Sequence, residues 1–297
     1  MTDVTVLELI EQMAARLEAA GLTAADGFGQ GTQNAFDEAA WLVLWKLGLP
    51  LDDLDSVANR PVAPADQAQV AMLLEARIST RKPAAYLTNE AWLQGVPFYV
   101  DERVIIPRSL IAELLVHPEF VGSIDHWLSE DTHRVLDLCT GNGSLAVLAA
   151  MTYPDVTVDA ADISPDALAV ARINVDRHHL QDRITLIESD GLAACPGPYD
   201  LILCNPPYVN ASSMAALPAE FRAEPALALA GGTDGMDFIR SLFLNIAAQM
   251  TENAVLVLEI GHERAHFERA FPHLEPLWLE TSAGNEQVLL LTREQLA

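Results

Sequence analysis

The sequence reads Val135-Leu136-Asp137-Leu138-Cys139-Thr140-Gly141-Asn142-Gly143 near its middle. The apolar half of this run has the composition of a buried strand. Two glycines follow it, and they allow the backbone to approach a ligand where a β-carbon would collide. A helix is predicted to begin near Ser144, so the run predicts a strand, a ligand-binding loop and a helix in that order.

Apolar strands alternate with helical stretches from about residue 109 to the C-terminus. Five strands are predicted, at residues 134–138, 156–161, 184–187, 201–204 and 255–259. This alternation predicts an α/β fold with a mostly parallel sheet that binds its ligands at the carboxyl ends of the strands. Two later strands, at 277–280 and 287–291, are separated by a short polar connection that suits a hairpin. The final strand is therefore predicted to be antiparallel.

The first 80 or so residues predict a small helical domain, because apolar side chains recur there at helical spacing in three stretches. Gly48 is predicted to end the second of these helices. The pattern changes over residues 86–106, where aromatic and β-branched residues are interrupted by Gly95 and Pro97. Such a pattern predicts a β-hairpin between the two domains.

The predicted organisation has three parts: a helical N-terminal domain over residues 1–84, a β-hairpin linker over 85–108 and an α/β domain over 109–297. The chain has 297 residues, of which 51% are hydrophobic, and this suffices for one large and one smaller domain. Its 42 acidic and 17 basic residues give a net charge of −25. The field of such a protein repels phosphate backbones, so a basic protein partner is easier to accommodate than naked nucleic acid.

The three cysteines, Cys139, Cys195 and Cys204, form no C-x-x-C pair. Neither a disulfide framework nor a thiolate zinc site is indicated, and a reducing compartment fits best. No apolar run reaches the roughly 18 residues of a membrane span, and the N-terminus has no basic segment followed by an apolar one. These features predict a soluble protein of the cytoplasm.

Asp162 closes the second predicted strand of the α/β domain, nineteen residues after Gly143. A carboxylate at this point can accept hydrogen bonds from both hydroxyls of a ribose, so the glycine loop and Asp162 predict a site for a nucleoside cofactor. The same residues, Gly141-x-Gly143-x-x-Ala146 followed by Asp162, also satisfy the loose fingerprint of an NAD site. The loop alone leaves both cofactors open.

The motif Asn205-Pro206-Pro207-Tyr208 follows directly after the fourth predicted strand. It has no role in hydride transfer, but it suits methylation of a planar nitrogen. An amide nitrogen is a poor nucleophile because its lone pair is delocalised into the carbonyl. If the Asn205 side-chain oxygen and the Pro206 carbonyl accept the two amide hydrogens, the lone pair is directed toward a methyl donor. The prolines stiffen this arrangement, and Tyr208 can lie against the planar amide.

Together these segments resemble the class I methyltransferases that modify glutamine amides, and specifically the PrmB-type branch that acts on large-subunit ribosomal protein L-three. The resemblance runs from about residue 84 to the C-terminus and is most specific in residues 85–92, 98–109 and 205–208. The sister branch, which modifies peptide-chain release factors, typically carries Pro-Arg-Pro where this chain has Pro107-Arg108-Ser109. The resemblance therefore favours the ribosomal substrate.

The resemblance implies a Rossmann-like class I methyltransferase domain with a seven-stranded, mostly parallel sheet, preceded by a helical substrate-recognition domain. The implied reaction moves the methyl group of S-adenosylmethionine to the side-chain amide nitrogen of a glutamine and gives N5-methylglutamine. Its substrate would be a basic ribosomal protein, free or in an assembly intermediate. The alternatives are a release-factor methyltransferase, an adenine-N6 nucleic-acid methyltransferase acting on an extruded base, and a ribosome-assembly factor that binds the cofactor without catalysis.

The resemblance also assigns the site residues. The glycine loop would hold the methionine part of the cofactor, Asp162 its ribose and Asp190 the adenine edge. The adenine wall stays unassigned, because Gly191 stands where release-factor relatives tend to place an aromatic residue. The full cofactor set is Asp137, Cys139, Thr140, Gly141, Asn142, Gly143, Asp162, Asp190 and Asn205. The substrate glutamine would be held by Asn205, Pro206, Pro207 and Tyr208, of which Asn205, Pro206 and Tyr208 are predicted to be catalytic.

The segment from His262 to His266 matches H-E-x-x-H, which on a helix places two imidazoles on one face as zinc ligands. No third ligand is evident in the residues that follow, so no metal is predicted. Arg108 lies between the predicted hairpin and the first helix of the α/β domain. We expect it either to form a salt bridge between the domains or to face the substrate.

Overall fold

A computed structural model of the protein describes residues 4–23, 27–117 and 123–297, and these fall into two compact units. The first unit is Met1–Ala91 together with Pro218–Ala223, and the second is Trp92–Leu217 together with Glu224–Ala297. The predicted boundaries at 84/85 and 108/109 stay a prediction. In the described ranges no helix is long and apolar enough to cross a membrane.

The first unit is helical, as the sequence predicts. Its helices are α1 (Val6–Ala19), α2 (Ala35–Leu47), α3 (Leu54–Val57), α4 (Pro64–Thr80) and α5 (Ala84–Thr88). Helix α1 begins with a capping box, in which the Thr5 hydroxyl accepts from the Glu8 N–H and the Glu8 carboxylate accepts from the Thr5 N–H. Helix α2 ends at Gly48, which has a φ of 62° and the left-handed conformation that favours glycine.

A buried ion cluster holds the discontinuous part of the first unit in place. The Arg77 side chain is fully buried, and it donates to Glu38 Oε1 at 2.8 Å and to Glu220 Oε1 at 3.2 Å. It also donates to the Gly27 carbonyl at 2.7 Å. A buried guanidinium needs such partners, so Glu220 stabilises residues 218–223 within this unit although they lie far away in the sequence.

The predicted β-hairpin is present but shorter than the sequence pattern indicates. Strand β1 (Ala91–Leu93) pairs with β2 (Val96–Phe98), and Gly95 has a φ of 75° in the turn between them. The stretch Tyr86-Leu87-Thr88, expected as part of the hairpin, lies in helix α5 instead. This correction has a local cause, because Pro83 fixes φ at the start of the helix and Asn89 ends it in the left-handed conformation. Residues 99–106 form no strand.

The seven-stranded, mostly parallel sheet is confirmed. Its strands are β3 (Arg134–Leu138), β4 (Thr157–Asp162), β5 (Ile184–Glu188), β6 (Tyr199–Cys204), β7 (Met250–Glu259), β8 (Leu277–Thr281) and β9 (Gly284–Thr292). They lie in the order β5-β4-β3-β6-β7-β9-β8. Strands β3 to β7 pair in parallel, whereas β9 is antiparallel to both β7 and β8, as predicted.

The strand order reverses between β3 and β6. From β3 the chain continues outward through β4 and β5, and then returns to place β6 on the other side of β3. In open α/β sheets the crevice at such a switch point is where ligands bind. Leu138 and Cys204 are register partners at the carboxyl ends of these two strands, so the glycine loop and the Asn205 motif leave the sheet side by side.

Helices and two apolar layers complete the second unit. Its helices are α6 (Ile111–Val116), α7 (Ser144–Thr152), α8 (Pro165–Arg177), α9 (Ala211–Ala215), α10 (Asp237–Phe243), α11 (Arg264–Ala270) and α12 (Arg293–Leu296). Val135 belongs to one apolar layer and Leu136 to the other. Successive side chains of a strand point to opposite faces, so the sheet is buried on both sides and its strands read as continuous apolar runs.

Candidate active site at the carboxyl end of the sheet

A cavity of about 200 Å³ lies where the strands of the second unit end, and all of its lining residues belong to that unit. Its walls come from the loops after β3, β4, β5 and β6, which is the position expected for a ligand site in this fold. Eight of the predicted site residues line it: Cys139, Thr140, Gly141, Asn142, Asp162, Asp190, Asn205 and Pro207. The other four, Asp137, Gly143, Pro206 and Tyr208, do not.

The glycine loop presents its backbone to the cavity. Gly141 has a φ of 55°, and a Cβ added to it would meet no atom within 4 Å, so this residue faces open space. Cys139 adopts a φ of 63°, a conformation that costs energy for any residue with a side chain. Gly143 serves packing, because a Cβ there would lie 3.2 Å from Ala171 Cβ in α8.

Asp137 lies beneath the loop rather than in the cavity wall. One of its oxygens, Oδ2, accepts from Thr140 Oγ1 at 2.5 Å and from the Ala146 N–H at 3.0 Å. The carboxyl group therefore connects the end of β3 to the loop and to the first turn of α7. Burial raises the pKa of Asp137 to about 7, although the hydrogen bonds from Thr140 and Ala146 act in the opposite direction.

The raised pKa of Asp137 predicts a pH dependence of stability. The unfolded carboxyl titrates near its ordinary value of about 3.9, so the folded protein binds more protons between that pH and about 7. The contribution of Asp137 to the free energy of unfolding is then complete at low pH and is lost as the pH rises through about 7. Asp137→Asn keeps an oxygen that can accept both hydrogen bonds, but it does not titrate.

We expect this contribution to disappear in Asp137→Asn. The difference in free energy of unfolding between the parent and the variant should fall by up to about 1.4 kcal/mol per pH unit over roughly pH 5 to 7. Urea unfolding at several pH values measures it, with the exposed Asp166→Asn as the control. Parallel pH profiles for the parent and Asp137→Asn would contradict the assignment.

Two carboxylates line the cavity. Asp162 ends β4, where its Oδ2 accepts from the Gly141 N–H and its Oδ1 from the Ser164 N–H, both at 2.9 Å. Each oxygen retains a second lone pair for a ligand hydroxyl. Burial raises the pKa of Asp162, opposed by backbone hydrogen bonds that include these two. Asp190 follows β5 and has an exposed side chain.

Asn142 carries a buried side-chain donor that the described part of the protein leaves unused. Its side chain is 3% exposed, and its Oδ1 accepts from the Ser144 N–H at 3.2 Å. Among the described residues its Nδ2 has no hydrogen-bond partner. A buried donor without a partner costs about 1 to 3 kcal/mol, so a ligand acceptor in the cavity would recover that energy.

The donor and acceptor set of the cavity fits S-adenosylmethionine. The unpaired Asn142 amide suits a carboxylate, and the Asp162 carboxylate suits ribose hydroxyls. Apolar side chains of Leu145, Ile163 and Leu227 complete the walls and can cover a flat ring.

The Asn205 motif enters the same cavity through Asn205 and Pro207. The Tyr208 ring lies against Gly261, where an added Cβ would be 2.5 Å from Tyr208 Cε2. Its hydroxyl donates to Glu259 Oε1 at 3.3 Å. Tyr208 is thus held by residues at the end of β7, and its predicted contact with the substrate amide stays a prediction.

Arg108 lines the cavity and forms an ion pair inside the second unit. It donates to Glu224 Oε1 at 2.6 Å and to Glu224 Oε2 at 2.8 Å, and Glu224 Oε1 also accepts from the Ile106 N–H at 2.9 Å. Such a bidentate pair is rigid. Arg108 thus lies beside the cavity with Glu224 as a partner that the sequence did not indicate, and its expected role, between the domains or toward the substrate, stays a prediction.

The H-E-x-x-H segment does not form a single helical face. Helix α11 begins at Arg264, so His262 lies in the turn before it. Glu263 Oε1 accepts from Asn210 Nδ2 at 2.7 Å, and Glu263 Oε2 lies 2.5 Å from His266 Nδ1. Within residues 4–23, 27–117 and 123–297 no group of three or more potential ligands is placed to hold a metal ion. Glu263 instead supports the chain just after Tyr208.

Glu259 is the main residue of this region that sequence reasoning missed. It is the last residue of β7 and is 4% exposed. A signal was present, because Asp162 likewise ends a strand and was chosen for that reason. Asp162 could be chosen because it lies nineteen residues after the glycine loop, at the spacing expected of a ribose-binding carboxylate. Glu259 has no comparable spacing to any motif of the sequence.

Comparisons with known proteins find methyltransferases among the relatives of this chain. A family model described as the methyltransferase small domain matches residues 124–232. The ribosomal protein uL3 glutamine methyltransferase of Bordetella pertussis is 50% identical over 295 residues, which cover 98% of this chain and 96% of the relative. The protein of the same name from Burkholderia pseudomallei is 48% identical, over 98% of this chain and 95% of the relative.

Among solved structures, the hMettl16 catalytic domain in complex with the MAT2A 3'UTR hairpin 6 superposes with a TM-score of 0.51. It is 13% identical, and the match covers 77% of this chain and 81% of that chain. At this identity the likeness shows the fold alone, and the fold is that of a methyltransferase catalytic domain.

Proposed function

The chain belongs to the ribosomal protein uL3 glutamine methyltransferase family, and from this premise we propose that it methylates the side-chain amide nitrogen of a glutamine in uL3. S-adenosylmethionine is the methyl donor, and the products are N5-methylglutamine and S-adenosylhomocysteine. One observation carries the proposal. Because Leu138 and Cys204 are register partners, Asn205 lines the same cavity as the glycine loop and Asp162.

The residues of the cavity divide into two sets. In this proposal Asn142 donates to the cofactor carboxylate, Asp162 accepts from the ribose and Asp190 contacts the adenine edge, and all three residues line the cavity. When bound, the cofactor supplies a methyl group activated by a positively charged sulfonium.

The Asn205 motif acts on the other reactant. The Asn205 side-chain oxygen and the Pro206 carbonyl accept the two amide hydrogens of the glutamine. This arrangement excludes other orientations of the amide and directs the nitrogen toward the cofactor, so most of the rate comes from positioning. No side chain has to act as a strong base, because the methylated nitrogen is acidic enough to lose its proton to water.

The charge of the chain supports a basic protein as the substrate. A net charge of −25 attracts a cationic ribosomal protein and repels nucleic acid, whether the substrate is free or part of an assembly intermediate. A substrate that is made and assembled in the cytoplasm would place the enzyme there too.

A methylation assay with three substrates tests the function. The purified protein is incubated with labelled S-adenosylmethionine and with recombinant uL3, a peptide-chain release factor or an adenine-containing RNA, in single-turnover amounts. We expect label in uL3 alone, at a glutamine identified by mass spectrometry. Label in the release factor or the RNA would replace the proposal by that alternative, and no label anywhere would favour a non-catalytic binding protein.

Asp162→Ala is expected to weaken S-adenosylmethionine binding by roughly 1.5 to 3 kcal/mol for each hydrogen bond lost to the ribose. Titration calorimetry measures the affinity, and the exposed Asp166→Ala serves as the control because Asp166 does not line the cavity. NAD should show no saturable binding to the parent protein. Unchanged affinity in Asp162→Ala would remove this residue from the site, and tight NAD binding would revive the dinucleotide interpretation.

A further inference from the structure

We propose that Glu259 is a positioning residue for methyl transfer, and this inference rests on the proposed function. Its carboxylate joins Tyr208 to the segment Ser109–Leu110, and in this way it fixes the orientation of the Asn205 motif. Glu259 itself does not line the cavity, so it acts through its neighbours and contacts neither reactant.

Both oxygens of Glu259 are used. Oε2 accepts from Ser109 Oγ at 2.6 Å and from the Leu110 N–H at 2.9 Å. Oε1 accepts from Tyr208 Oη at 3.3 Å, the longest of the three bonds. A single buried carboxylate therefore connects two segments that are far apart in the sequence.

Both of these segments line the cavity. Ser109 lines it together with Arg108 on the segment before α6, and Asn205 and Pro207 line it on the segment after β6. A change in the Glu259 carboxylate would therefore alter the distance between two cavity walls. The methyl donor and the amide have to lie between such walls at a fixed separation, and reaction rates fall steeply when it changes.

The two prolines transmit this constraint to Asn205. Pro206 and Pro207 have fixed φ angles, and each also restricts the residue before it. Once Tyr208 is held by Glu259 and Gly261, little rotational freedom remains between Tyr208 and Asn205. Fixing the tyrosine therefore restricts the backbone that carries the Asn205 side chain.

Stability of the fold alone does not explain why a carboxylate is buried at position 259. Burying a carboxylate costs energy, and an apolar residue of similar size fills a core position more cheaply. Burial raises the pKa of Glu259, while the hydrogen bonds from Ser109, Leu110 and Tyr208 lower it. The Glu259 carboxylate accepts hydrogen bonds from Ser109, Leu110 and Tyr208, and each of these residues belongs to a segment that lines the cavity. The positioning of these segments accounts for a carboxylate at this buried position.

The test compares Glu259→Gln, Tyr208→Phe and the double variant. In Glu259→Gln one acceptor oxygen becomes an amide donor that faces other donors, so we expect kcat to fall at least about tenfold. The cofactor dissociation constant, measured by calorimetry, should stay within about twofold of the parent, the pattern of an interaction realised in the transition state. Asp200→Asn, at a half-buried carboxylate that also accepts three hydrogen bonds but lies at the amino ends of β3 and β6 and does not line the cavity, should keep the parent kcat.

The double variant distinguishes action through Tyr208 from a general loss of structure. If Glu259 acts partly through Tyr208, the kcat of the double variant should exceed the value predicted by multiplying the two single effects. Fully multiplicative losses, a parent-like kcat in Glu259→Gln, or a cofactor affinity that falls as much as kcat would each overturn the proposal. If Glu259→Gln does not fold, Tyr208→Phe decides by itself, because it removes only the hydroxyl that donates to Glu259. A parent-like kcat in Tyr208→Phe would then exclude positioning through the Tyr208–Glu259 hydrogen bond.

This outcome is separable from the proposed function. If the parent transfers no methyl group to uL3, the proposed function fails, and the role of Glu259 in that reaction fails with it. If the parent is active and Glu259→Gln is equally active, the function stands and only the role of Glu259 is lost.

Discussion

Asn205→Ala is expected to lower kcat at least about tenfold, a barrier increase of about 1.4 kcal/mol, while cofactor affinity stays within about twofold. The reason is that in the proposed mechanism the Asn205 side-chain oxygen accepts a hydrogen bond from the nitrogen that is methylated. Its contribution lies mainly in orientation, which matters most in the transition state. Steady-state kinetics on uL3 and calorimetry with S-adenosylmethionine measure the two quantities separately.

Asn205→Asp tests the same role with a change of charge. The variant keeps the size of the side chain and an acceptor oxygen, but it adds a negative charge near the cationic sulfonium. This charge stabilises the bound cofactor more than the transition state, in which the positive charge is dispersed. We therefore expect cofactor binding at least as tight as that of the parent and turnover at least about tenfold slower.

The exposed Asn245 provides the control, since Asn245→Ala removes an asparagine outside the cavity and should leave both quantities unchanged. Parent-like turnover in both Asn205 variants would mean that the motif does not position the nucleophile. The catalytic assignment of Asn205, Pro206 and Tyr208 would then fail.

Much of the fold could be predicted because its signals are local. The central strands are buried on both faces and read as continuous apolar runs, whereas the edge strands β5 and β8 are partly exposed. The sequence pattern predicted all seven strands, with boundaries that shifted by up to about five residues. The position of the cavity could be predicted for a related reason. In a parallel sheet the ligand lies at the carboxyl ends of the strands, and Asp162 and Asn205 stand there in the sequence.

What the sequence could not predict depends on contacts between distant residues. Arg77 and Glu220 are 143 positions apart, and no local pattern assigns residues 218–223 to a unit made of the first 91 residues. Tyr208 looks like a substrate contact beside two prolines. Only the tertiary structure shows its ring against Gly261 and its hydroxyl near Glu259.

Gly261 lies so close to the Tyr208 ring that adding one methyl group, in Gly261→Ala, should strongly affect both stability and kcat. Gly261 has a φ of 53°, and an added Cβ would lie 2.5 Å from Tyr208 Cε2. Gly261→Ala should therefore lose about 1 to 2 kcal/mol of stability from backbone strain and a further 1 to 3 from overpacking. Because the ring must move and the prolines carry that movement to Asn205, we also expect kcat to fall at least about tenfold.

Gly48→Ala separates the strain from the clash. Gly48 has a similar φ of 62°, but a Cβ there would meet no atom within 4 Å. Gly48→Ala should lose only about 1 to 2 kcal/mol of the free energy of unfolding and keep the parent kcat.

The double variant Gly261→Ala with Tyr208→Ala removes the ring that the added methyl group meets. Its loss of unfolding free energy should therefore be smaller than the sum of the losses in the two single variants, although it should remain inactive. A Gly261→Ala enzyme with parent-like turnover would show that the position of the Tyr208 ring does not control the orientation of Asn205, and the transmission through Pro206 and Pro207 would have to be abandoned.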